Sequence, residues 1–311
     1  MTVSDLSDGC RAERASADGS PRWAPAAGFV LFIAGYAGTV AYVGNTGAAD
    51  RLEGVVQFDM WVALLGALGG FALAAGMFFA FWLVRVVRLS RQIERTTVAS
   101  WAVIVLLIQA SVFAGLFLGA SGAEASIDKD LAIQTRPITL FAGLCMTPGL
   151  ATFLALRWIA ADDSHWDESG RCRVRLIIQL RADLRRLLTT FGAFLTLLVI
   201  TTGLRRRALL AFDPDLPVPP EQVLLYGLIF AVMLGAFYGL ATTAIDARAQ
   251  RIIDEFAPLP DPADPTLSDQ IQRRNDLATL TGGGGSWRSF ETTVVIAAPL
   301  LTALIGIATS T

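Results

Sequence analysis

The chain has 311 residues, 54% of them hydrophobic, with a formal net charge of −2, three cysteines and one histidine. A mean hydropathy of +0.54 exceeds what a soluble domain of this length needs to fill its core, which excludes an ordinary globular protein and points to a bilayer. Nearly balanced charge, with no aromatic stacking platform in the polar segments, also excludes a nucleic-acid binder.

Residues 1–25 read as a disordered cytoplasmic segment, too long and too mixed in charge for a signal-peptide leader. Seven apolar runs follow, at 26–44, 60–84, 98–120, 138–160, 187–204, 223–244 and 290–308. Each is close to the roughly 20 residues that cross a hydrocarbon core, and none alternates with the period of a barrel strand. The expected fold is an all-α integral membrane protein, a bundle of about seven transmembrane helices. Six form a core at 26–244 with short loops, and the seventh, at 290–311, follows a cytoplasmic loop at 245–289.

Basic residues resist translocation, and most of the 25 Lys and Arg residues fall on one side if the N-terminus is cytoplasmic and the C-terminus extracytoplasmic. Arg205, Arg206 and Arg207, at the outer end of the fifth run, are the local exception. Trp23, Trp61, Trp82, Trp101, Trp158 and Trp287 stand at run ends, where amphipathic rings favour the interface. A single lysine among many arginines suggests a GC-rich genome and a bacterial plasma membrane.

Features inside the runs concern packing and breaks. Gly66 and Gly70 in the second run, and Gly227, Ala231, Gly235 and Gly239 in the sixth, draw small-residue grooves for a neighbouring helix or a second copy. Gln109 places an amide at the centre of the third run. Thr147, Pro148 and Gly149 interrupt the fourth, in "LCMTPGLATF", and Pro299 interrupts the seventh. Together these form a candidate midplane site. With the first helix set aside, the remaining six fall into two groups of three with opposite orientation, in which Pro148 and Pro299 hold equivalent places. That is the pattern of an inverted-repeat transporter, although Gln109 has no counterpart in the sixth run.

Outside the runs, "RCRVRLIIQLRADLRR" at 171–186 aligns Ile177, Leu180, Leu184 and Leu187 on one helical face. It suits a basic helix at the cytoplasmic surface, with Arg171, Arg173, Arg175, Arg181 and Arg185 toward anionic lipid or a partner, or else an extension of the fifth span. The acidic stretch "ADDSHWDESG" fails the calcium-loop pattern, because Glu168 stands where the turn needs glycine. The loop 245–289 carries "APLPDPADP", a short helix from near Thr266, and a "TGGGG" hinge.

Catalytic chemistry is hard to place. The only lysine, Lys129, and the only histidine, His165, lie in loops, and no carboxylate sits within a run except Glu291 at the edge of the last. Retinal attachment, haem ligation, HExxH zinc chemistry and paired-aspartate proteolysis are therefore disfavoured. No metal or cofactor is expected. Cys10, Cys145 and Cys172 fall in the cytosol, the membrane and the cytosol, which implies no disulfide. The expected function is a non-enzymatic assembly, sensor or accessory component of the membrane. The alternative is a permease or exporter for a neutral or hydrophobic small molecule.

Overall fold

The computed structural model describes residues 23–45, 55–89, 126–162, 170–215, 219–258, 267–281 and 286–308, with single positions between 100 and 110. The described elements are helices: α1 (Ala24–Gly44), α2 (Val56–Leu89), α3 (Ser126–Ala161), α4 (Gly170–Phe212), α5 (Glu221–Phe256), α6 (Leu267–Leu280) and α7 (Ser286–Ala308). Five of them, α1 to α5, are long and apolar enough to cross a membrane, and α7 carries a shorter apolar stretch, Thr292–Ile305. Of the third expected run, Ser100, Val103 to Val105, Leu107 and Ala110 are described, and all are helical.

The helices are held by side-chain stripes that continue well past the hydrocarbon. Along α4 the buried face runs from Ile177, Leu180 and Leu184 through Leu187, Phe191 and Leu195 to Val199, at helical spacing. Neither Pro nor an interior Gly interrupts 171–191, so nothing ends the helix where the arginines give way to leucines. The basic stretch is thus the first part of a 43-residue helix rather than a separate one lying at the surface. Its apolar face is covered by protein. The buried face of α5 is equally continuous, from Val223 through Phe230, Leu234 and Ala241 to Ile252.

Packing is sequential at first and then closes. α1 lies mainly against α2. α2 packs on α3 and α4, α5 packs on α3 and α4, and α7 sits in the angle between α4 and α5. Much of α1 faces outward, including Phe29, Val30 and Ile33. Trp61, expected at the interface, is 1% exposed and lies against Phe58 with ring centroids 5.5 Å apart. Cys172, for which the sequence implied no disulfide, is disulfide-bonded, whereas Cys145 is free. Compartment reasoning predicts which thiols stay reduced, not which approach one another.

Candidate functional site

The break in α3 is a packing joint. Pro148 lies within a helix that continues unbroken on both sides. Its missing N–H leaves the Leu144 carbonyl without its usual donor. Local hydroxyls tie the turn: Thr152 Oγ1 donates to the Pro148 carbonyl at 2.7 Å, and Thr147 Oγ1 leans on the Gly143 carbonyl at 3.5 Å. Gly149 gives the joint its shape. A methyl group there would run into the Phe191 ring and stand 2.8 Å from Phe79 Cγ. Phe79 and Phe191 stack at 4.7 Å between centroids, and Phe153 tilts against Phe191 at 5.6 Å. Three aromatic rings from α2, α3 and α4 therefore fill the space beside Thr-Pro-Gly.

Pro299, also expected at the midplane site, lies apart from the joint. Pro299 lies in α7, where its carbonyl oxygen would stand 2.9 Å from a methyl group on Gly227 of α5. α3 and α7 share no extended contact. Gln109 lies outside the described residues. What opens near the joint is apolar: a cavity of about 40 Å³ between α3, α4 and α5, lined by Met146, Leu150, Phe191, Phe194, Leu198 and Phe230 among others, with Thr139 its one polar side chain.

The small-residue grooves divide in use. In α2, a methyl group on Gly66 would stand 2.8 Å from Val40, and one on Gly70 2.5 Å from the Phe32 carbonyl oxygen, so this groove receives α1. In α5, Gly227 meets the α7 backbone at Leu300 and Ala231 is buried. Gly235 makes only ordinary contact with Ile296, and Gly239 faces open space. Further close approaches were not evident from spacing, among them Gly35 of α1 against the Gly69 backbone of α2, Gly76 of α2 against the Cys145 backbone, and Gly192 of α4 against Val295 of α7.

At the far end of α4 the arginines meet acids. Arg173 donates to both Glu255 oxygens at 2.8 and 2.9 Å, and Arg181 to Asp246 at 2.6 Å. Both pairs join α4 to α5. Arg248, buried on α5, donates to the Asp162 carbonyl at 3.1 Å, and Arg274 ties α6 to the Ala257 carbonyl at 2.7 Å and to Asp254 at 2.5 Å. Arg175 and Arg185 are exposed, and the Arg171 side chain lies outside the described residues.

Asp183 was missed by sequence reasoning. It is 4% exposed, with Arg186 Nη1 at 3.7 Å and Arg85 Nη1 of α2 at 4.0 Å. It lies before the apolar run 187–204, outside the hydrocarbon. Burial pushes its carboxyl above the usual range, against the pull of the two guanidinium groups. The signal was present: Asp183 is the one acid in 171–186, and it falls on the same face as Leu180, Leu184 and Leu187.

Among the described residues no group of three or more His, Cys, Asp or Glu is placed to hold a metal ion. No family model matches the chain, and neither a characterised protein nor a solved structure matches it.

Proposed function

We propose that the chain is a non-enzymatic polytopic membrane protein, an assembly or accessory component that presents the charged ends of α4 and α5, with α6, to a partner at the cytoplasmic face. In this reading it has seven spans, including 98–120 and 290–308. The N-terminus is cytoplasmic and the C-terminus extracytoplasmic, and the membrane is a bacterial plasma membrane. The observation that carries it is the packing of Phe79, Phe153 and Phe191 together beside Thr-Pro-Gly, which places aromatic rings rather than polar side chains against the break among the described residues. By contrast, α4 before Leu187 is 17 residues long, about 25 Å of helix beyond the hydrocarbon. It displays Ile178 at 44% exposure beside Arg175 and Arg185, and α6 displays Ile271 at 44%. Charges flanking exposed aliphatic side chains suit a protein partner or the anionic headgroups beside it.

The test is the mass of the particle purified from its native membrane in mild detergent, by light scattering corrected for detergent. The reading expects an assembly heavier than one chain that dissociates when Ile178 and Ile271 are both changed to Asp. A single-chain particle, or an assembly indifferent to those changes, contradicts it.

One observation favours the permease reading. Gly76 of α2 seats α3 at Cys145, three residues before Pro148, and Gly192 of α4 seats α7 at Val295, four residues before Pro299. Each proline helix thus rests on a glycine of the first helix in its group of three, a likeness between the two groups that supports an inverted repeat.

A further inference from the structure

We infer that Asp183 is a proton-controlled latch on the seam between α2 and α4: the neutral carboxyl lets the two helices close over it, and the ionised carboxylate opens the seam outward, toward Arg85 and Arg186. Such a latch is independent of the assembly role.

The polar groups at this seam are buried but not matched. Asp183 is 4% exposed, and the guanidinium nitrogens that face it, Arg186 Nη1 at 3.7 Å and Arg85 Nη1 at 4.0 Å, stand beyond hydrogen-bonding distance. Arg85 Nε is buried as well and has no hydrogen-bond partner. A carboxylate held this deep without hydrogen bonds is costly, whereas the neutral acid loses far less on leaving water. The closed seam therefore suits the protonated form. Burial raises the carboxyl above its ordinary range in agreement with this, against the pull of Arg85 and Arg186.

The direction of opening follows from exposure. The Asp183 side chain is 6% exposed, that of Arg85 20% and that of Arg186 62%, so the carboxylate gains both guanidinium groups and water by moving outward. The seam has a pivot further in. The rings of Phe79 and Phe191, six residues before Arg85 and eight after Asp183, stack at 4.7 Å and join the same two helices about two turns away. Arg85 itself lies four residues from the end of α2 at Leu89, where a helix opens most easily.

Other charges on the surrounding helices are engaged elsewhere or turned outward. On α5, Asp246 and Glu255 receive Arg181 and Arg173, and Arg248 donates to the Asp162 carbonyl. Arg157 of α3 and Arg185 of α4 are exposed. The side chains of Arg88 on α2 and of Arg288 and Glu291 on α7 lie outside the described residues.

Double electron–electron resonance on the full chain in detergent tests the latch, with spin labels at two exposed positions, Val84→Cys of α2 and Ile178→Cys of α4, and with Cys10, Cys145 and Cys172 replaced by Ser. The expected result is a short, narrow distance at about pH 4 that shifts to a longer, broader distribution as pH rises above the ordinary aspartate value of about 3.9. Asp183→Asn keeps the shape of the neutral acid and cannot ionise, so it should hold the short distance throughout. Asp183→Leu serves the same purpose if the amide variant fails to fold. A wild-type distance that is constant or shortens over the pH range would overturn the latch, as would the same lengthening in a variant without the carboxyl.

Discussion

At the residue scale, the clearest test is of two glycines with opposite surroundings. Gly149→Ala places a methyl group against Phe79 and Phe191 and is expected to destabilise the fold by about 1–3 kcal/mol. Gly239→Ala enters open space and is expected to stay within about 0.5 kcal/mol of the wild type. Thermal unfolding in detergent separates the two. Asp183 carries a pH prediction. Its carboxyl is raised in the fold, so the folded state holds the proton more tightly than the unfolded chain does. Its contribution to stability is therefore fullest below the ordinary aspartate range and is lost as pH rises through that range and the raised value. Asp183→Asn should remove this dependence, seen as a wild-type-minus-variant difference in melting temperature that becomes more favourable to the wild type as pH falls. A difference with the opposite slope would mean that the pull of Arg85 and Arg186 outweighs burial.

At the element scale, the pairing of α4 with α5 beyond the membrane rests on a shared apolar stripe with ion pairs at its edge. The acid partners Glu255 and Asp246 are each 55% exposed, so either pair contributes modestly, about 0–1 kcal/mol. Arg181→Asp should weaken the α4–α5 contact by a similar amount and Asp246→Arg should restore it, measured as a double-mutant cycle that flattens at high salt. The five long apolar helices α1 to α5 were legible in the sequence, because apolar runs of this length have few alternatives. The ends of α5 at Phe256 and of α6 at Leu280 fall where "APLPDPADP" and the glycine run stop a helix. The continuity of α4 was less visible, since arginine density marks a boundary by composition while the stripe from Ile177 to Leu187 crosses it. The identity of each helix's neighbour was not legible at all. Four-residue spacing marked Gly227 and Gly239 alike, yet only the former meets another backbone.

At the scale of the whole molecule, the described helices form a bundle with close approaches at glycine: α1 on α2 at Gly35, Gly69 and Gly70, α3 on α2 at Gly76, and α7 on α4 and α5 at Gly192 and Gly227. Where apolar burial cannot favour protein over lipid, close backbone approach and dispersion hold helices together, and each of these glycines admits that approach. The midplane site expected from Thr147, Pro148, Gly149 and Pro299 was legible as a set of breaks but not as an arrangement, because sequence spacing does not reveal which rings move in beside a proline. Aromatic rings pack around Gly149 beside the α3 proline, in keeping with the assembly reading, whereas the transport reading expects water at the same break.

Cys145 decides between them. It lies three residues before Pro148 and is the free thiol among the described cysteines. With Cys10 and Cys172 replaced by Ser, a membrane-impermeant maleimide is applied to intact cells and to inverted vesicles. The dry bundle predicts no labelling from either side, with full reaction once the protein is denatured. Labelling from either side in the native membrane would mean that water reaches the break, and would contradict the account.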